Sequence, residues 1–395
     1  DVLDGLRGLS AGSVHCAATS PPFFGLRDYG LPPSEWPAVE YAPMAGLPPV
    51  TVPAMACCLG LEPDPLAYIG HLVLIWREVW RVLRDDGVCW ANWGDSFNSN
   101  SSGGLSGSSL TKGGTQPAHN RAASKVHPVA LKPKDLLMIP SRAALALQAD
   151  GWYLRSAIVW AKGISFCPTY SGSVMPESVT DRPTSAHEMI YLLAKRPAYF
   201  YDAEAVKESG SIAAGARAPT GRLKKSVNGR PPEYWEYSGT RNLRNVWAIS
   251  PRGSPIAHFA TWPEDLVRPM VLAGSPAKCC AKCGAPWERV VEREGQLEGR
   301  ERNRGGRTDG YALSAQWKNG VNPTTTVTTG FRPTCACIRE RIPRHDLPIE
   351  EALALAEAVR REFGGVGRST VLDIFAGSGT TLRVALQEGR HAIGV

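Results

Sequence analysis

The sequence contains no run of 18 or more uninterrupted apolar residues, which argues against a membrane-spanning helix. Its first residues include no basic segment followed by an apolar one, so we expect no secretory signal. It also shows no internal repeat of the kind that builds solenoids. These absences favour a cytoplasmic globular protein with no membrane partner.

The composition is that of an ordinary globular chain. Of its 395 residues, 43% are hydrophobic and 21% are charged, and the 40 glycines and 32 prolines indicate many loops. The length favours one large domain with insertions, or two domains. A net charge of +7 permits a polyanionic partner such as nucleic acid, but a solvated basic surface explains it equally well.

Helical and extended patterns alternate along the chain. Apolar residues recur at intervals of three and four over 66–83, which predicts an amphipathic helix. Short apolar runs predict strands at 14–18, 88–93, 153–160 and 370–374. This alternation predicts an α/β fold in which helices cover both faces of a mostly parallel sheet, giving three layers.

The first motif, Ser20-Pro21-Pro22-Phe23, follows the strand predicted at 14–18. Two prolines fix two φ angles and remove two N–H donors, so the backbone is stiff. A hydroxyl, rigid carbonyls and an aromatic face at one strand end suit a planar ring that bears an exocyclic amino group. On its own, however, the motif is more often a plain proline turn.

The second motif, Asp373-Ile374-Phe375-Ala376-Gly377-Ser378-Gly379-Thr380-Thr381, lies between a predicted strand and a predicted helix. Ligands of open α/β sheets bind beyond the carboxyl ends of strands, near free N–H groups of a helix start. The motif lacks both G-x-G-x-x-G spacing and a P-loop lysine, which argues against dinucleotides and nucleoside triphosphates. A glycine-rich helix entry without a ligand is the alternative.

Five of the ten cysteines fall in two clusters. Cys280-x-x-Cys283 and Cys335-x-Cys337 predict a tetrahedral structural zinc site of four thiolates. Cys279 is a neighbouring thiol that could compete as a ligand. The alternatives are unmetallated buried thiols and a redox pair.

Together and in this order, the first two motifs resemble those of the β-class DNA amino-methyltransferases. These enzymes transfer a methyl group from S-adenosylmethionine to N4 of cytosine or N6 of adenine. The resemblance covers most of 1–275 and 365–395. Other similar pieces are Gly94-Asp95-Ser96, Trp160-Ala161-Lys162, Pro168, Arg182, His187-Glu188 and the segment from His258 to Leu266.

The resemblance implies a Rossmann-like methyltransferase domain built from two halves. Residues 1–275 would form the catalytic half, and 343–395 the cofactor-binding half, truncated at its C-terminus. Residues 276–342 would be a zinc-binding insertion carrying a zinc knuckle, and its basic stretch is a candidate for contact with DNA phosphates. The variable target-recognition loops would lie at 31–65, 98–130 and 203–245.

The resemblance also implies roles for individual residues. The catalytic set is Ser20, Pro21, Pro22 and Phe23. The residues implied to bind S-adenosylmethionine are Asp373, Phe375, Ala376, Gly377, Ser378, Gly379, Thr380, Thr381, Phe259, Trp262 and Pro263. The zinc ligands would be Cys280, Cys283, Cys335 and Cys337.

This sequence departs from the family pattern at two points. Phe23 stands where tyrosine is commoner, which keeps stacking and loses a hydroxyl. The acidic residue that usually follows the last strand and binds the cofactor ribose is missing after Val395, which predicts weakened cofactor binding.

Ser20 favours cytosine, because adenine enzymes of this class more often carry aspartate at that position. We therefore expect site-specific methylation of N4 of a flipped cytosine in double-stranded DNA. The alternatives are N6-adenine methylation by the same fold, an inactive DNA-binding module, and methylation of a non-DNA amine in RNA or protein. The source would be prokaryotic or phage-encoded, with or without a cognate restriction endonuclease.

Overall fold

The computed structural model describes residues 1–28, 30–98, 132–210, 239–251, 262–294, 325–335, 337 and 366–395. Nearly all of the predicted loop at 98–130, most of the one at 203–245, and Phe259 therefore lie outside the described residues. The helices are α1 (Val2–Arg7), α2 (Pro65–Val82), α3 (Ile139–Ala149), α4 (Glu264–Gly274) and α5 (Thr380–Gln387).

The strands in chain order are β1 (Val14–Thr19), β2 (Ser34–Trp36), β3 (Val39–Tyr41), β4 (Val50–Val52), β5 (Met55–Cys57), β6 (Leu83–Trp93), β7 (Tyr153–Ala161), β8 (His187–Ala194), β9 (Glu208–Gly210), β10 (Gly239–Arg241), β11 (Val246–Ala248), β12 (Cys279–Cys280), β13 (Trp287–Glu294), β14 (Thr325–Pro333), β15 (Val366–Gly367), β16 (Thr370–Asp373) and β17 (His391–Gly394).

Seven strands form the main sheet, in the order β11-β7-β8-β6-β1-β16-β17. Only β8 is reversed among them, because it pairs antiparallel with both β6 and β7 while the other pairings are parallel. The mostly parallel sheet is therefore confirmed. Because β6, β1 and β16 are adjacent and parallel, their carboxyl ends meet at one edge, which is where ligands bind in such sheets.

Helices cover both faces of this sheet. Helices α1, α2 and α3 pack on one face, and α4 and α5 pack on the other. Strand β1 serves both cores: Ala17 joins the first, and Cys16 and Ala18 join the second. This is the three-layer α/β arrangement that the alternating pattern predicts. No helix in the described part of the chain is long and apolar enough to cross a membrane.

Helix α2 begins where local chemistry favours a helix start. The Asp64 side chain accepts the Ala67 N–H at 2.9 Å, and Pro65 occupies the first turn. An aspartate cap of this kind contributes about 1 kcal/mol. The buried face of α2 then carries large side chains into the first core, among them Tyr68, Leu72 and Trp76.

The prediction of a loop over 31–65 is wrong in part, since this segment forms two short antiparallel pairs, β2 with β5 and β3 with β4. Val39 and Val52 pack against α2 at Gly70. A Cβ there would lie 3.0 Å from Val39 and 2.9 Å from Val52. The many prolines of this segment favour a loop in a prediction from sequence. The strands form because their apolar side chains are buried against α2.

The segment between α4 and β16 forms small sheets of its own. Strand β12 pairs antiparallel with β15, and β13 pairs antiparallel with β14. These pairs lie outside the main sheet, so the described part of 276–342 is an appendage to the α/β core.

Candidate active site

The two sequence motifs meet at the carboxyl edge of the sheet. Strand β1 leads into Ser20, and its neighbour β16 leads from Asp373 into the glycine-rich turn; Ala17 and Leu372 are partners in the parallel pairing. Strand β6 lies on the other side of β1, with Thr19 opposite Ala91. The fold thus brings the predicted catalytic and cofactor segments side by side.

The Ser20 hydroxyl is held by a buried amide. It donates a hydrogen bond to Oδ1 of Asn92 at 3.0 Å, and Nδ2 of Asn92 donates to the Met189 carbonyl at 3.2 Å. Asn92 is 2% exposed, so its orientation is fixed by these two bonds. Because the Ser20 proton is engaged, its oxygen lone pairs remain available to accept a hydrogen bond from a ligand.

Asn92 belongs to none of the sequence motifs. Its available signal is a single polar residue inside the apolar run of β6, at a position that the strand buries. A buried polar side chain needs a partner, but the sequence does not say which one, since Ser20 and Met189 come from two other parts of the chain.

The two prolines fasten the segment after Ser20. Pro21 is buried, and the Pro22 carbonyl accepts a hydrogen bond from the Tyr68 hydroxyl of α2 at 2.8 Å. The ring of Phe24 lies against the same tyrosine, with centroids 5.5 Å apart. Contacts from α2 therefore hold the backbone here in addition to the stiffness of the prolines.

The Phe23 ring lies against Gly94, at the end of β6. A Cβ at position 94 would lie 2.6 Å from Cε2 and 2.7 Å from Cδ2 of that ring, so only glycine leaves room for the ring.

Asp95, the residue after Gly94, accepts hydrogen bonds from the N–H groups of Ser96 at 2.9 Å and of Ile139 at 3.0 Å. Burial raises the pKa of Asp95. Through its hydrogen bond to Ile139, Asp95 anchors the start of α3.

Asp373 ends β16 and is 1% exposed. Its Oδ1 accepts the Phe375 N–H at 3.1 Å. Burial raises the pKa of Asp373, an effect opposed by the nearby Thr381 hydroxyl, the Phe375 N–H and the Thr19 hydroxyl. Oδ2 of Asp373 and the hydroxyls of Thr19 and Thr381 have no partner with good hydrogen-bond geometry among the described residues. Buried polar atoms of this kind fit a site that takes a polar ligand.

The turn after Asp373 has a shape that depends on glycine. Gly377 has φ +49° and Gly379 has φ +75°, both left-handed. Gly379 is the N-cap of α5, so N–H groups of the first helical turn face the same edge. The remaining predicted cofactor residues of this motif lie in the turn or the start of α5: Phe375, Ala376, Ser378, Thr380 and Thr381.

The helix predicted to precede the cofactor motif packs beside α5. Pro263 is the N-cap of α4, and Trp262 packs on the second core. Glu264 of α4 pairs with Arg383 of α5 at 2.7 Å. Trp262 and Pro263 are thus near the cofactor segment, and Phe259 lies outside the described residues.

Segments that resemble the target-base pocket meet at the same edge. Lys162, after β7, pairs with Glu188 at the start of β8, and its Nζ lies 4.7 Å from the centroid of the Trp160 ring. The Arg182 guanidinium lies 3.7 Å from the centroid of Phe97. These contacts place charged and aromatic groups after β7 and β6, at the edge of the sheet where Ser20 follows β1.

The predicted zinc ligands lie together. The Sγ atoms of Cys280, Cys283, Cys335 and Cys337 are all within 4.8 Å of one another. Cys279 is excluded from the group and is buried beside Gly367. The Gly284 N–H donates to the Cys280 carbonyl at 2.8 Å, and Gly284 has φ +70°, a tight turn after the first pair. Four thiols at this spacing fit a tetrahedral zinc ion.

The four-thiol group is attached at the opposite edge of the sheet. His15, near the start of β1, bonds the Gly284 carbonyl through Nε2 at 2.8 Å and accepts the Thr370 N–H through Nδ1 at 3.0 Å. Arg84, near the start of β6, donates to the Cys283 carbonyl at 2.8 Å. The Cys283–Gly284 turn therefore lies at the amino ends of β1 and β6, whereas Ser20 follows the carboxyl end of β1.

The family model and the sequence relatives that match this chain are all methyltransferases. The family model described as DNA methylase matches residues 14–278 and 297–395. The chain is 38% identical over 275 residues to the type II methyltransferase M.Cfr9I of Citrobacter freundii, covering 70% of this chain and 71% of the relative. The same coverage holds for M.XycI of Xanthomonas campestris pv. cyanopsidis, at 36% identity.

A third relative, M.SmaI of Serratia marcescens, is 35% identical over 277 residues, 70% of this chain and 73% of that protein. Among solved structures, the PvuII DNA methyltransferase (cytosine-N4-specific) matches at TM-score 0.43 and 14% identity, over 100% of this chain and 78% of that chain. A likeness of that degree says nothing about the base that is methylated. The family match and the three sequence relatives place this chain in the DNA methylase family, as a DNA amino-methyltransferase.

Proposed function

We propose that the protein methylates N4 of a specific cytosine in double-stranded DNA, with S-adenosylmethionine as the methyl donor. The observation that carries the proposal is a neutral serine, Ser20, at the end of β1, directly beside the glycine-rich turn that ends β16. The sequence relatives are named type II methyltransferases. That supports action on DNA in a bacterial restriction–modification system, with or without a cognate endonuclease.

The residues at the carboxyl edge of the sheet bind different parts of the base. The target amine lies inside the duplex stack, so the base must be flipped out. The face of Phe23, held against Gly94, stacks on the flipped ring. The Ser20 oxygen, with its own proton engaged by Asn92, accepts one amine N–H, and the Pro21 carbonyl accepts the other. The Pro22 carbonyl is already engaged by Tyr68.

This arrangement raises the nucleophilicity of the amine. Two acceptors draw its N–H bonds away from the ring plane, which localises the nitrogen lone pair and aims it at the cofactor side of the edge. The bound S-adenosylmethionine supplies the methyl group. The nitrogen would bond to that carbon as the carbon–sulfur bond breaks, S-adenosylhomocysteine would leave, and the extra proton on the nitrogen would pass to water. No cysteine nucleophile is required.

Cofactor binding rests on the turn from Asp373 to Thr381. Its left-handed glycines let a ligand approach the backbone, and the unpaired buried oxygens around Asp373 offer polar partners. Trp262 and Pro263, at the start of α4, border the same region. A structural zinc ion in the four-thiol group completes the proposal: it would fix an appendage whose small sheets have little core of their own.

The test is methyl transfer with labelled S-adenosylmethionine to unmethylated duplex DNA, and to RNA of matched sequence. We expect label in DNA, little in RNA, and strong loss in Ser20→Ala. Label in RNA alone would overturn the DNA assignment. No label in either, with Ser20→Ala indistinguishable from the parent, would favour a binding module without chemistry.

A further inference from the structure

A buried pair of ionisable side chains, Glu62 and His71, lies behind the Ser20–Phe23 segment. Nδ1 of His71 donates to Oε1 of Glu62 at 2.9 Å, and neither side chain has exposed surface. The Trp36 ring stacks on His71 with centroids 4.4 Å apart and planes 13° apart. Burying such a pair is unfavourable unless the remaining hydrogen-bonding atoms also have partners. Oε2 of Glu62 has one, whereas Nε2 of His71 has none among the described residues.

The second carboxylate oxygen of Glu62 reaches toward the active-site segment. Oε2 accepts the N–H of Gly60 at 2.8 Å. Gly60 has φ +91°, and a Cβ there would lie 2.9 Å from the Phe23 carbonyl oxygen. The Gly60 carbonyl in turn accepts the Gly25 N–H at 2.7 Å. The turn that Glu62 holds is therefore in direct contact with the backbone at Phe23 and Gly25.

Helix α2 carries a second attachment to the same segment. Tyr68 lies one turn before His71 on α2, and its hydroxyl donates to the Pro22 carbonyl at 2.8 Å. One rigid helix thus reaches the segment twice, directly through Tyr68 and indirectly through His71, Glu62 and the Gly60 turn. Between these attachments lies the peptide that sets the direction of the Phe23 side chain.

We propose that His71 and Glu62 are positioning residues for Phe23. They hold the Gly60 turn against the Phe23 backbone and so set the plane on which the flipped base stacks. The side chains of Glu62 and His71 do not touch the base. This inference rests on the proposed function, since it assigns a cause to the position of one of its residues.

Two variants of His71 separate geometry from simple destabilisation. His71→Leu removes the donor to Glu62, and His71→Asn keeps an N–H near the Nδ1 position. We expect His71→Leu to lower kcat by about 10- to 100-fold, as displacement of a substrate-positioning group does, with the KM for S-adenosylmethionine unchanged. We expect His71→Asn to restore most of the lost kcat.

A double-mutant cycle with Phe23→Ala supplies the readout that a merely structural role would not move. If His71 acts through Phe23, His71→Leu lowers kcat in the parent and adds no further loss in a protein that already carries Phe23→Ala. Glu62→Gln should show the same non-additivity. The matched control is Asp202→Asn, which removes the negative charge from the partly buried ion pair of Asp202 with Arg289, 2.6 Å apart, in a different part of the protein. This control should lower the melting temperature and leave kcat unchanged.

Equal losses from His71→Leu in the parent and in the Phe23→Ala protein would overturn the inference, as would a parental kcat in His71→Leu. In both of those outcomes the parent still methylates DNA, so the proposed function stands. A parent protein that transfers no methyl group to DNA would overturn the proposed function and the inference with it.

Discussion

The Ser20 hydroxyl donates a hydrogen bond to Oδ1 of the buried Asn92 amide at 3.0 Å, and this contact determines how the serine can bind a ligand. A serine with its proton engaged offers only lone pairs, so it acts as an acceptor for a base amine. Asn92 is itself oriented by the Met189 carbonyl of β8. The reversed strand β8 therefore helps to orient Ser20, which follows β1, through Asn92 of the intervening strand β6.

Replacing Ser20 tests this acceptor role. We expect Ser20→Ala to lower kcat by about 100- to 1,000-fold, as loss of one preorganised hydrogen-bonding group in a transition state does. The KM for S-adenosylmethionine should change little, because the cofactor turn follows another strand.

The Asn92→Ala substitution should lower kcat in the parent protein and have little further effect in a protein that already carries Ser20→Ala. Independent, additive losses would contradict the hydrogen-bond relay.

Gly94 is predicted to be intolerant of a methyl group. In Gly94→Ala the new Cβ would lie 2.6 Å from the Phe23 ring, so the ring must move or the strand end must shift. Overpacking of this kind costs about 1–3 kcal/mol, and kcat should fall through loss of base stacking. Steady-state kinetics and thermal unfolding measure the two effects.

Gly330→Ala is the control for Gly94, since a Cβ at Gly330 meets nothing within 4 Å. It should match the parent in kcat. A Gly94→Ala protein with parental kcat would mean that Phe23 does not need its observed position.

The four-thiol group should hold one zinc ion per chain. Cys280→Ser should lower the bound zinc, measured by atomic absorption, and should lower the melting temperature, because metal binding contributes to the stability of such small units. Cys279→Ser is the matched control, as Cys279 adjoins Cys280 and lies outside the group; its zinc content should equal the parent's.

A zinc content of zero in freshly purified parent would contradict the structural-zinc proposal. Two ions per chain would instead point to a second site among Cys57, Glu62 and His71, whose ligand atoms lie within 4.8 Å. That result would conflict with the hydrogen bond between His71 and Glu62.

Asp373 should make stability depend on pH in a particular direction. Burial raises its pKa in the folded protein, so between the unfolded value of about 3.9 and the folded value the folded state holds more protons. Its contribution to the free energy of unfolding therefore falls as pH rises through that window and is constant above it. In Asp373→Asn this contribution disappears.

The measurement for Asp373 is thermal or denaturant unfolding of parent and Asp373→Asn across the acidic range. The difference in unfolding free energy, variant minus parent, should grow as pH rises through the window. A constant difference would contradict the raised pKa.

The parts of the site that lie close together in sequence could be predicted from it. The Ser20–Phe23 and Asp373–Thr381 segments each follow a predicted strand. Because alternating strands and helices indicate a parallel sheet, the carboxyl ends of both strands are expected at the same edge. The Cys280 and Cys283 pair predicts a metal half-site by spacing alone. The structure adds that Cys335 and Cys337 do complete the group and that Cys279 does not.

The contacts that join distant segments could not be predicted. Asn92 meets Ser20 only because β6 and β1 are neighbours, and Glu62 meets His71 only because the chain turns into α2 between them. The proline-rich stretch 31–65 concealed four strands, since their burial comes from packing on Gly70 rather than from a local pattern. Propensity describes a segment, whereas these features depend on tertiary neighbours.

The most direct test of the account is the identity of the methylated nucleoside. Duplex DNA incubated with the protein and S-adenosylmethionine would be digested to nucleosides and analysed by mass spectrometry, with Ser20→Ala in parallel. We expect N4-methylcytosine in the parent reaction and its near absence in the variant. N6-methyladenine in place of N4-methylcytosine would contradict the assignment of cytosine as the target base.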